Sequence, residues 1–348
     1  MEELLPGLPT AELAALGSEL ATVDDLGSLA GLAARQRALL AQTVALGWSG
    51  EAACTLISGL NDRLTRRVLT LVARRHRLPP VDWCWLAMGS EGRDEQTLVS
   101  DQDNGLVFSA CDAGEAQALR ELFLPFAREA NEQLAACGFS LCPGNIMAGN
   151  PQWCLSVDEW RERFIEWVRC PDPVALLNAT IFFDLRPLHG KLELGQGLRT
   201  LIGHLTSDTP AFLHLMSINA LQVHPPLGFL GDVAVDDAEA VDLKKFGSRI
   251  FVDVARILAL AAATPSVNSF ARLREAGAAA GMQPGEVAAA QAALSHLLRL
   301  RLEQQAAAGA ETPVFRPAEL HEIDRVILKE SLHQARRLQQ RLKLNYSL

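Results

Sequence analysis

Residues 83–105 read WCWLAMGSEGRDEQTLVSDQDNG, and the fold turns on how this stretch divides. Trp83 to Met88 is a short apolar run stopped by Gly89, the pattern of a buried strand ending in a turn. Gly89-Ser90 then supplies a permissive backbone and a hydroxyl where a short helix begins, and the free amides of a helix end attract phosphate. After Leu98 and Val99 come Ser100-Asp101-Gln102-Asp103 and then Leu106, Val107 and Phe108, which read as a second strand. Side chains alternate along a strand, so Asp101 and Asp103 face one way and Gln102 the other. Two carboxylates one strand repeat apart are spaced to share a divalent cation. Oxygen ligands of this kind suit magnesium, with manganese as the alternative.

The chain has 348 residues, enough to bury a sizeable core and to hold two or three domains. A formal net charge of -9 argues against a general grip on DNA or RNA, which runs on clustered Lys and Arg. The seven cysteines (Cys54, Cys84, Cys111, Cys137, Cys142, Cys154, Cys170) are scattered without a C-x-x-C pair. They point to a reducing cytoplasm rather than a disulfide frame. The start, MEELLPGLPT, is acidic and lacks the apolar core of a signal peptide. The most apolar stretch, Ile257 to Ala263, stops at Thr264-Pro265, short of a membrane span, so no membrane is expected as a partner. A hydrophobic fraction of 49% is compatible with a homo-oligomer.

Three regions follow from the pattern: an N-terminal helical region at 1–79, an α/β core at 80–190 and a C-terminal helical bundle at 191–348. Residues 8–77 have apolar positions recurring at three and four, as in LNDRLTRRVLTLVARR, and Pro79-Pro80 ends them. Ala113 to Ala136 is an amphipathic helix, Phe139 to Met147 a short strand pattern around Pro143-Gly144, and Trp153 to Val168 helical with Ser156 and Glu159 spaced as a capping box. From Lys191 onward only helical periods appear, broken at His224-Pro225-Pro226, Gly228, Gly231, Thr264-Pro265 and Thr312-Pro313. Alanine-rich stretches such as 288–293 and 306–310 read as ordinary helix. The fold class is α+β, a small mixed sheet with flanking helices plus an all-α C-terminal part.

The stretch GSEGRDEQTLVSDQDNGLVF (89–108) resembles the glycine-serine, Asp-x-Asp signature of the nucleotidyltransferase superfamily, in the variant G-S-x-G-R-x-E-Q-T-x-x-x-D-Q-D-N. That variant is similar to the nucleotidyltransferase domain of bacterial signalling proteins, catalogued as domain-of-unknown-function family 294 and often fused to CBS and cyclic-nucleotide-binding modules. More distantly it resembles the uridylyltransferase that modifies the nitrogen regulatory protein PII. LCPGNIMAGNPQW, FFDLRPLHG and VDLKKFGSRIFVDVARILAL resemble further blocks of that family, so the likeness runs from roughly residue 50 to 345. No CBS or cyclic-nucleotide module precedes the core in this sequence, which leaves the sensed signal open.

The resemblance implies magnesium-dependent transfer of a nucleoside monophosphate from a nucleoside triphosphate to an acceptor, with a regulatory protein as one class of acceptor. It implies Asp101 and Asp103 as metal ligands, against a solvated turn as the bland alternative. Gly89 and Ser90 are expected at the triphosphate, with Arg93 adding charge-assisted contacts unless it pairs with Asp94 or Glu95. Asn104 is expected to orient the second aspartate. A third carboxylate is implied on a neighbouring element. Asp184, set between Phe183 and Leu185, is the first candidate, against a buried pair with Arg186, and Asp172 is the second. Asn145 is expected to line the same cleft, against plain turn chemistry. Lys244 is expected to reach a phosphate or base, against a solvated helix start. The rival function is a non-catalytic, nucleotide-sensing module of signal transduction. An interaction domain without a site is the third.

Overall fold

The computed structural model describes residues 10–229, 231–308 and 315–348. Thr312-Pro313 and the end of the 306–310 alanine stretch lie outside the described residues. Two compact units form. The first takes in the described residues up to Trp48, Ala53–Phe164 and Ile181–Arg199. The second takes in Ser49–Ala52, Ile165–Thr180 and the described residues from Thr200 to Leu348.

In the first unit, β1 (Trp83–Ala87), β2 (Asn104–Phe108), β3 (Cys154–Ser156) and β4 (Arg186–Gly190) make one sheet in the order β3-β2-β1-β4. β1 is antiparallel to β2 and β4, and β2 is parallel to β3, so the sheet is mixed as expected. The register decides where chemistry gathers. Ala87, the last residue of β1, lies opposite Asn104 and Arg186, the first residues of β2 and β4. The chain leaving β1 and the chains entering β2 and β4 therefore meet at one end of the sheet, and they carry Gly89-Ser90, Asp101 to Asp103, and Asp184.

Helices α1 (Thr10–Thr22), α2 (Leu26–Val44) and α3 (Gly50–Ala73) precede the sheet, and α4 (Gly89–Gly92) is a single turn after β1. α5 (Ala113–Ala136) spans the expected residues, with Asp112 accepting from Glu115 N at 2.9 Å as its N-cap. Its Phe123 and Phe126 pack on Trp83, Trp85 and Phe108 of the sheet. α6 (Val157–Arg169) opens on the expected capping box: Ser156 N donates to Glu159 at 2.8 Å and Glu159 N to Ser156 Oγ at 3.3 Å.

Two expectations change. Phe139 to Met147 is a loop, paired to the chain entering β2 by an isolated bridge between Asp101 and Ser140 and by a single backbone hydrogen bond from Asn104 N to Ile146 O rather than as a strand. Pro143 has no amide to give a ladder, and Asn145 sits at φ 53°. The third strand is instead Cys154–Ser156, inside the stretch read as helix, because those three residues pair with Leu106 to Phe108. Pairing between residues far apart in sequence overrides the local helical period.

α7 (Pro173–Phe182) leads to β4, and α8 (Leu192–Ser207) follows it. The second unit contains α9 (Pro210–Ala220), α10 (Arg249–Ala261), α11 (Ser269–Ala276), α12 (Pro284–Ala308) and α13 (Glu322–Tyr346). α10 is its core: Ile250 to Leu260 are all buried, against α9, α11 and α13. Among the described residues of this unit, extended pairing is limited to the isolated bridges Leu227 to Val233 and Val241 to Phe315. No described helix is long and apolar enough to cross a membrane.

Candidate active site

The site is built on the turn after β1. Gly89 has φ +54°, a left-handed value that a side chain disfavours, and a Cβ placed there would collide with Asp103 Oδ2. The second aspartate of the pair therefore rests directly on the backbone of the serine turn. Asp103 is held there by its own main chain: its carbonyl accepts from Met88 N at 2.8 Å, and the next amide, Asn104 N, donates to Ile146 O at 3.1 Å. Asp101 and Asp103 are both half-buried, while Gln102 between them is buried and donates to Asn131 O and Phe139 O at 3.0 Å each. Burial thus alternates along 101–103, with Gln102 turned inward and the two acids part-exposed. Ser90, half-buried, lies in the one-turn helix α4, whose first amides have no acceptor within the helix.

The loop 142–150 closes on the same residues. Asn145 is exposed, and its carbonyl accepts from Trp153 Nε1 at 3.1 Å and Asn150 Nδ2 at 2.9 Å. Burial and the facing Asp103 carboxylate push the Cys142 thiol up from its ordinary value. Asn104 is fully buried; its Oδ1 accepts from Ala148 N at 2.8 Å and Asn131 Nδ2 at 3.0 Å. It ties this loop and α5 to the start of β2, next to Asp103, with no exposure to a ligand.

Beneath the turn, the remaining signature residues form buried ion pairs. Arg93 donates to Glu95 at 2.9 Å and to Asp184 at 2.7 Å. Its side chain is 12% exposed and that of Asp184 0%, which is the ion-pair alternative for Arg93, with a partner that lies 91 residues away. Asp184 does not pair with Arg186, which binds Asp62 through two hydrogen bonds of 2.7 and 2.8 Å and Asp94 at 2.9 Å. Glu91 is buried among these groups. Burial, with Asp62 and Asp103 adding repulsion, pushes its carboxyl up to about 8. Asp172 belongs to the second unit and accepts from Ala175 N at 2.6 Å, a cap on α7. Lys244, also in the second unit, is exposed at the start of a π-helical turn, Lys244–Ser248, that runs into α10.

Among the described residues no group of three or more His, Cys, Asp or Glu side chains is placed to hold a metal ion. Two half-exposed carboxylates remain, and magnesium is commonly held by one or two carboxylates together with waters and substrate phosphates.

Two family models match the chain. A family described as "Putative nucleotidyltransferase DUF294" matches residues 34–174, and its partner, "Putative nucleotidyltransferase substrate binding domain", matches residues 210–346. The chain belongs to this family. No curated protein matches it. In this DUF294 chain the signature separates into two sets: Gly89, Ser90, Asp101 and Asp103 gather at the end of the sheet, while Glu91, Arg93, Glu95 and Gln96 brace the loop from below. Sequence reasoning missed Cys142, Asp62 and Asn61. For the last two a signal existed, adjacent polar residues within the apolar spacing of the amphipathic helix α3.

Proposed function

We propose that the chain transfers a nucleoside monophosphate from a nucleoside triphosphate to an acceptor hydroxyl with magnesium. The acceptor oxygen, giving up its proton to water, forms a bond to the α-phosphorus, the bond from that phosphorus to the bridging oxygen breaks, and pyrophosphate leaves. The amides of Gly89 and Ser90 and the Ser90 hydroxyl would hold the polyphosphate, and Asp101 and Asp103 would hold the cation. Bound magnesium would neutralise the phosphate charge that grows on the leaving side. The Arg93–Asp184 pair keeps the loop in place, and Asp184 acts through it rather than as an exposed third ligand. The second unit, matched by a family named for substrate binding, would hold the acceptor, with Lys244 as its contact to an anionic group. A regulatory protein is the acceptor class that fold analogy offers.

The observation that carries this reading is the contact of the Asp103 carboxylate with Gly89 of the serine turn. One observation favours a second reading, a module that binds nucleotide without transfer: burial of Asp184 against Arg93 leaves two acids at the turn. Pyrophosphate release, measured with each of the four ribonucleoside triphosphates, magnesium and candidate acceptor proteins, separates them. Release that disappears in Asp101→Asn supports transfer. Saturable nucleotide binding without release in any combination favours the sensor.

A further inference from the structure

Helix α3 meets the signature loop through three polar side chains. Ser58 Oγ accepts from Gln96 N at 3.0 Å, and Asn61 Nδ2 donates to Gln96 Oε1 at 3.2 Å. Asp62 accepts both hydrogen bonds from Arg186, and Arg186 in turn donates to Glu91 O at 2.9 Å and Gly92 O at 3.3 Å. α2 extends the line, since Gln36 Nε2 donates to Asn61 Oδ1 at 2.7 Å. The loop is thus held at its start through Arg186 and at its end through Gln96. Arg93 lies between, tied to Glu95 and Asp184.

Ser58, Asn61 and Asp62 are 0%, 8% and 6% exposed, and their spacing of three and four puts them on one face of the helix. Hydrophobic contacts alone would let a helix such as α3 settle in neighbouring registers at little cost. Buried polar groups do not, because a shift leaves each one without its partner. This polar patch fixes α3 against the loop in one register.

We infer that α3 is the platform of the nucleotide site, with Ser58, Asn61 and Asp62 as positioning residues that act through the loop 89–97. They set the backbone of Gly89 and Ser90, and through Gly89 the seat of Asp103. The functional half of this inference rests on the proposed nucleotide reading; the mechanical half does not.

Amide hydrogen exchange on the full chain tests the mechanical half. Ser58→Ala and Asn61→Ala are compared with Val68→Ala, a cavity in the same helix at a buried residue that touches no signature side chain by a polar contact. Amides of 91–97 exchange about tenfold faster in the first two than in the control, the effect of one lost buried hydrogen bond. In the same variants, affinity for the triphosphate that binds the unmodified chain best with magnesium falls by a similar factor, whereas Val68→Ala changes it little. Asp62→Glu restores affinity that Asp62→Asn loses. Should Asp62→Asn fail to fold, the two milder variants decide. Equal exchange of 91–97 in all three variants overturns the inference. If exchange responds as stated but the unmodified chain binds no triphosphate, the platform stands and the nucleotide reading falls.

Discussion

At the scale of single residues, the site buries two carboxyl groups in different surroundings, Glu91 among other acids and Asp184 against Arg93. Glu91 is buried and its folded-state value is raised from 4.5 to about 8. Over that window the folded chain keeps a proton that the unfolded chain releases, so the contribution to stability is largest below about 4.5 and declines as pH climbs toward about 8. Glu91→Gln cannot ionise and should flatten that decline, read as urea midpoints at pH 5, 6.5 and 8. The same slope in both proteins would assign the dependence to another group. Asp184 is buried as well, but against a cation: Arg93 donates to its carboxylate at 2.7 Å. Asp184→Asn removes the carboxylate facing Arg93 but leaves Glu95 beside it, so a loss of about 1–3 kcal/mol in chemical unfolding is expected. A change below a few tenths would mean that Arg93 is satisfied without Asp184.

At the scale of elements, local signals explain what was legible. β1 and β2 stand out because apolar runs are bounded by Gly89 on one side and the paired acids on the other. α5 was readable to the residue because its start is fixed by a side chain cap at Asp112. Asp112→Ala should therefore cost about 1 kcal/mol by thermal or urea melts. An unchanged midpoint would show that packing of Phe123 and Phe126 alone sets that helix start. β3 was not legible: three residues carry too little period to compete with the amphipathic stretch that follows, and their strand character comes from β2. The platform role of α3 was hidden for a related reason. A search for apolar spacing passes over Ser58, Asn61 and Asp62, whose partners Gln96 and Arg186 lie far along the chain. The Asp101 to Asp103 spacing was visible, but the seat of Asp103 on Gly89 depends on the antiparallel register of two strands.

At the scale of the whole molecule, the chain joins a mixed sheet that presents paired acids at one end to a helical unit packed around α10, and both parts match the two halves of one nucleotidyltransferase family. The proposed reading has the nucleotide bind together with its metal at Asp101 and Asp103. Calorimetric titration of each ribonucleoside triphosphate, with and without magnesium, into the unmodified chain and Asp103→Asn tests this most directly. Saturable binding of at least one triphosphate that needs magnesium and is lost in Asp103→Asn is the predicted result. Magnesium-independent binding that survives Asp103→Asn, or no binding of any triphosphate to a folded chain, would contradict it.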